Sequence, residues 1–167
     1  YIEQDSHEIK VLLIVPHPDD EINLAGATIK HFTEQGAQLF CVYTTNGDYA
    51  YSAAVGLREA CNALACMGVP KKNIYCLGYG DTPNWKGLKH IFASWDEQVM
   101  SPAGNCETYG AVGIDDYVFK KTGHHHSYCW NNFKEDLKQV LLEIRADIII
   151  GIDLDAHQDH RFCSLIL

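Results

Sequence analysis

Residues 9–15, IKVLLIV, form a short run rich in branched apolar side chains and interrupted only by Lys10, the pattern of a strand buried on both faces. Such a strand belongs inside a parallel sheet, with helices packed above and below it. The run stops abruptly at PHPDDE (16–21), where two prolines, a histidine and three acids follow one another. Helical spacing of Ile22, Ala25, Ile29 and Phe32 then predicts a helix over 20–35, ended by Gly36. The alternation repeats. AQLFCVYTT (37–45) reads as a second strand, 53–67 as a helix with Leu57, Ala60, Cys61, Leu64 and Ala65 on one face, and NIYCLG (73–78) as a third strand. NNFKEDLKQVLLEIR (131–145) is amphipathic, DIIIGI (147–152) is strand-like, and HRFCSLIL (160–167) opens another helix. This order predicts an α/β fold, a parallel sheet with helices on both faces.

Residues 79–130 break the rhythm. They are rich in Gly, Pro, Asn and aromatics, show only a weak helical pattern near 86–98, and read as a long loop region on the functional side of the sheet. The last helix has no strand after it. The expectation is one α/β domain over 1–167 whose C-terminal part is missing, continued in a longer chain or covered by another.

Charge narrows the partners. The formal net charge is −9, from 13 Lys and Arg against 22 Asp and Glu, and no basic run is longer than Lys120-Lys121. A phosphate-backbone reader needs a basic stripe, so neither nucleic acid nor an anionic membrane surface is expected. No apolar stretch approaches the ~20 residues that span a bilayer. Cysteines at 41, 61, 66, 76, 106, 129 and 163 show no CxxC spacing, which points to reduced thiols in a cytoplasmic protein.

Open parallel sheets bind ligands beyond the carboxyl ends of their strands. Three polar clusters fall there: PHPDDE, TTNGD (44–48) and DLDAHQDH (153–160). A catalytic zinc takes three His or carboxylate ligands and keeps one position open. His17 and Asp20, three apart on a strand-to-helix turn, can aim at one point, and His160 completes such a set. Asp19 is then free to act as the base on the attacking water. His157 can stabilise an oxyanion or protonate a leaving group, with Asp159 holding its imidazole. For each cluster alone a plainer explanation competes: helix capping for PHPDDE and a polar loop for HQDH.

PHPDDE together with AHQDHR (156–161) resembles the two signature motifs of the LmbE-like (PIG-L) zinc-dependent N-acetylglucosaminyl de-N-acetylases. The likeness extends to the Gly-Asp loop at 47–48 and the Arg-Glu pair at 58–59. It implies a Rossmann-like sheet and hydrolysis of an N-acetyl group from an amino sugar or its conjugate. It also implies His17, Asp20 and His160 as metal ligands, Asp19 as general base, His157 and Asp159 beside the intermediate, and Arg58 and Asp48 toward the substrate. Zn2+ is the implied cofactor, Fe2+ fits the same donors, and a homo-oligomer is compatible. Gln158 stands where many members carry Pro.

Two readings from other classes remain: a sugar- or metal-binding module without turnover, and a nucleotide-binding Rossmann domain. The second is weakened by the lack of a glycine-rich first turn, since Gly78-x-Gly80 falls short of that fingerprint. GHHHSYCW (123–130) is open between a flexible or substrate-facing loop, part of the site's rim and a separate metal site through His124–His126. Tyr49, Tyr51, Trp85, Tyr109 and Trp130 sit in the loops at the expected mouth, suited to stacking on a sugar or to packing.

Overall fold

The structure is a computed structural model that describes residues 8–82, 91 and 94–167. Four strands, β1 (Lys10–Val15), β2 (Gln38–Thr45), β3 (Ile74–Tyr79) and β4 (Ile148–Ile150), pair in parallel in the order β3-β2-β1-β4. Among the described residues five α-helices lie between and after them: α1 (Asp20–Glu34), α2 (Ala53–Cys66), α3 (Tyr117–Thr122), α4 (Trp130–Ile144) and α5 (Gln158–Ile166).

Strand alternation divides the core in two. Val11, Leu13 and Val15 of β1 face Ala25 and Ile29 of α1 and Leu57, Ala60 and Leu64 of α2. Leu12 and Ile14 face the other way, toward Phe133, Leu137, Val140 and Ile144 of α4 and Phe162 of α5. Residues 11–15 are therefore apolar throughout because both faces of the strand are covered. Gly36 and Gly68 follow α1 and α2 with φ of 80° and 88°, left-handed conformations that explain why the helical patterns stop there.

Chain order fixes where a ligand fits. From β1 the chain winds one way through β2 and β3, then returns to place β4 on the opposite side of β1. A crevice opens between the carboxyl ends of two strands where the winding reverses. PHPDDE follows β1 and DLDAHQDH follows β4, so both clusters flank that crevice.

Two expectations need correction. The 79–130 stretch contains α3, which six residues are too few to reveal by periodicity. Its ends are nevertheless marked: Asp116 Oδ1 accepts from Phe119 N at 3.1 Å, and Gly123 follows with φ 77°. Much of the weak pattern near 86–98, including Trp85 just before it, lies outside the described residues. DIIIGI pairs over only three residues, and Ile148 and Ile149 are 36% and 49% exposed. The strand expected over 147–152 is here a short edge strand, open on one flank.

Candidate metal centre and active site

The turn after β1 is held from several sides. Thr45 donates both its N–H and its Oγ1 hydroxyl to Pro16 O, each at 2.9 Å. Pro18 packs on Gly47 (φ +60°), where an added Cβ would sit 2.7 Å from the proline Cδ. Asp19 takes φ 153° and ψ −22°, and the wholly buried Glu21 fixes it by accepting Asp19 N at 2.9 Å. Asp19 occupies the N-cap position of α1, yet its side chain makes no capping bond. Capping alone therefore does not explain the acids.

His17 and Asp20 converge as the spacing predicts: Nδ1 of His17 lies 3.1 Å from Asp20 Oδ2. His160 joins them from α5, with Nε2 at 3.3 Å from His17 Nδ1 and 3.4 Å from Asp20 Oδ2. Helix α5 is seated by Phe162, edge-on to Phe133 at 4.4 Å, and by Cys163 Sγ, 3.3 Å from Thr44 Oγ1.

The three donor atoms thus form a triangle with edges of 3.1, 3.3 and 3.4 Å. Ligands ~2.0–2.1 Å from a tetrahedral zinc lie ~3.3–3.4 Å apart, so the donor set fits three corners of such a site. Looser groups also exist, His17 with His157 and His160, and His17 with Asp81, His157 and Asp159, each within 4.8 Å. The compact triangle fits better, because its edges match the spacing that one small cation imposes.

The far nitrogen of His17 meets two further carboxylates. Nε2 lies 3.2 Å from Asp159 Oδ2 and 3.4 Å from Asp81 Oδ1. Burial alone lowers the His17 pKa, but Asp159, Asp20 and Asp81 outweigh it and push the value up to about 12. The pocket calls for positive charge. In protein stripped of divalent cations a proton on His17 supplies it, against an ordinary value of 6.5. That contribution to stability is complete below pH 6.5 and is lost as pH rises toward about 12, by at most about 1.4 kcal/mol per pH unit. His157, whose pKa is lowered by burial, works the other way only while the unfolded chain's imidazole loses its remaining proton just above 6.5, a gain of about 0.4 kcal/mol, and adds no slope beyond that. Chelator-treated protein is accordingly expected to melt at lower temperature at pH 9 than at pH 6.5; an equal or higher melting point at pH 9 would refute this.

Asp159 departs from its expected partner. Its carboxylate accepts Thr82 N at 2.8 Å and faces His17, whereas its nearest approach to His157 Nδ1 is 4.0 Å. The link to His157 runs through the backbone instead, Asp159 N donating to His157 Nδ1 at 3.2 Å. The ring caps α5, and that position turns Nδ1 inward. Asp19 is exposed at the surface of the crevice, and its carboxyl is held above the usual range by burial and by neighbouring Asp20.

Asp48 lies in the loop after β2 with both oxygens engaged. Oδ1 accepts Asp81 N at 2.9 Å, while Oδ2 accepts Tyr109 OH at 2.6 Å and Asn105 Nδ2 at 3.3 Å. Arg58 is exposed on α2, and no hydrogen bond or ion pair to it occurs among the described residues.

The histidine run is part of a scaffold. His125 Nδ1 pairs with the fully buried Asp116 at 2.8 Å and stacks on Phe119, and His126 Nδ1 pairs with Asp136 at 3.0 Å. None of His124–His126 joins a metal-competent group among the described residues. Of the mouth aromatics, Tyr109 is bonded to Asp48 and Trp130 packs on Phe162, while Tyr49 and Tyr51 are exposed. Trp85 lies outside the described residues.

Sequence reasoning missed Asp81 and Asp155. Asp81 follows β3 in GYGDT, a strand end whose single acid has no histidine or second acid beside it to mark it. Asp155 stands inside DLDAHQDH, two residues before His157, with no spacing of its own that marks it.

A family model described as PIG-L, GlcNAc-PI de-N-acetylase, matches residues 12–167. The chain belongs to the PIG-L family. Among its relatives is a probable N-acetylglucosaminyl-phosphatidylinositol de-N-acetylase of Dictyostelium discoideum, 26% identical over 91 residues, 54% of this chain and 33% of that protein. A similar solved structure is the N,N'-diacetylchitobiose deacetylase of Pyrococcus horikoshii, with a TM-score of 0.59 at 24% identity over 94% of this chain and 47% of the other. At that identity the likeness concerns the fold, and it supports the Rossmann-like arrangement. The chain spans about half or less of the length of these proteins.

Proposed function

We propose that the chain is a metal-dependent hydrolase that removes an N-acetyl group from an amino sugar or its conjugate. The observation that carries this reading is the donor triangle of His17, Asp20 and His160 beside an uncommitted Asp19, at the sheet's reversal point. Family membership supports the substrate class, through relatives that act on N-acetylglucosaminyl and diacetylchitobiose compounds. His17, Asp20 and His160 hold the cation, for which the mixed nitrogen and oxygen donors suit zinc, with iron(II) fitting the same set. When bound, that cation supplies Lewis acidity, polarising the amide carbonyl and acidifying a water.

The chain's own groups do the rest. Asp19 takes the proton of the attacking water, for which its raised pKa suits it. His157 spends Nδ1 on Asp159 N, so the neutral ring presents Nε2–H to the crevice. That arrangement favours hydrogen bonding to the developing oxyanion over delivery of a proton. The leaving nitrogen then receives the proton Asp19 took up, and the products are acetate and a free amine. Asp159 holds His17, Asp48 holds Asp81, and Arg58, exposed in the second turn of α2, is the residue we assign to the sugar conjugate. Free thiols at all seven cysteines support a cytoplasmic setting. No described helix is long and apolar enough to cross a membrane.

The test is acetate release from a panel of N-acetylglucosamine conjugates by zinc-loaded protein. Release supports the reading. Stoichiometric zinc and sugar binding without any acetate would favour a binding module instead.

A further inference from the structure

We propose that Asp155 is a positioning residue of this cation site, one carboxylate setting both histidines of the His-x-x-His pair. The inference rests on the reading of His17, Asp20 and His160 as cation ligands. Asp155 Oδ2 lies 2.6 Å from Nδ1 of His160, and Oδ1 accepts the backbone N–H of His157 at 2.6 Å. A carboxylate only accepts, so Nδ1 of His160 is the nitrogen that carries hydrogen. The Nε2 lone pair is thereby aimed at His17 Nδ1 and Asp20 Oδ2, the corner that the donor triangle requires. With the other tautomer, Nε2 would present a proton there and could not ligate.

His17 has the same arrangement, with the carboxylate of Asp159 3.2 Å from its far nitrogen. Both ligand imidazoles thus have an acid behind them, the device by which proteins fix a metal ligand's tautomer and ring plane. The two acids differ in their other work. Asp159 is buried and also anchors Thr82, whereas the Asp155 side chain is 49% exposed and, among the described residues, bonds only within its own short segment. Removing Asp155 should therefore act on the site with little effect on the fold.

Zinc affinity of the wild type, Asp155→Ala and Asp155→Asn, measured by competition with a chromophoric chelator, tests this. Asp155→Ala is expected to bind zinc roughly 10–100-fold more weakly. Asp155→Asn should recover part of that loss, since its single amide oxygen can still accept one of the two bonds. A long-range 1H–15N spectrum of the zinc-loaded wild type should show His160 protonated at Nδ1, with that proton broadened by exchange in Asp155→Ala. Affinities within twofold and an unchanged His160 signal would overturn the role of Asp155 while leaving the cation site standing. A wild type that binds no zinc would overturn both.

Discussion

Asp19→Ala is expected to keep the cation and lose turnover, with kcat lower by about 100- to 10,000-fold, the usual contribution of a positioned general base. Retention follows from the geometry. The ligand triangle is complete without Asp19, whose side chain neither caps α1 nor touches the three donors at hydrogen-bond distance. Loss of turnover follows from the same isolation, because Asp19 is the exposed carboxylate of the turn left without a structural task. Its backbone supports that reading. A non-glycine residue at φ 153°, ψ −22° costs on the order of 1–3 kcal/mol, and such strain persists only where the surroundings enforce it. Glu21 enforces it from beneath. The measurement is kcat on an N-acetylated amino sugar with zinc content determined in parallel. Full activity in Asp19→Ala would remove the residue from the chemistry, and lost zinc would move it into the ligand set.

Phe133→Ala is expected to destabilise the protein by about 3–5 kcal/mol, the range for deleting a buried aromatic ring. That is a large share of the ~5–15 kcal/mol total usual for a domain, and it should lower the melting temperature by on the order of 10 °C. Phe133 is 1% exposed and contacts Tyr79, Trp130 and Phe162 through rings 4.4 to 6.3 Å apart. Because Phe162 seats α5, which carries His160, the cavity should also weaken zinc binding. Denaturant unfolding measures the first effect and chelator competition the second. A loss below about 1 kcal/mol would show that the α4–α5 packing does not set the site.

The sequence made the frame legible because burial leaves a period. β1 is apolar from Val11 to Val15 since two layers cover it, and α4 repeats Phe133, Leu137, Val140 and Ile144 because one face meets the sheet. The switch-point argument then brought together clusters about 140 residues apart. Less regular features left weaker marks. Six residues of α3 carry too few turns for a period, although Asp116 and Gly123 mark its ends. The apolar β4 gives no sign that it lies at an edge, because exposure depends on neighbours and not on composition. Nearness in sequence pairs Asp159 with His157, whereas the turn onto α5 swings its carboxylate to His17 and leaves His157 a 4.0 Å contact and a backbone hydrogen bond. The three consecutive histidines leave loop, rim and metal site open as readings, because their partners Asp116 and Asp136 come from the N-cap of α3 and from α4 and no local pattern announces those pairings.

Zinc content per chain, compared among the wild type, His17→Ala and Asp19→Ala, tests the central claim most directly. One zinc per chain is expected in the wild type and in Asp19→Ala, and close to none in His17→Ala. A wild type that cannot be loaded, or a His17→Ala variant that keeps its zinc, would contradict the site built on His17, Asp20 and His160.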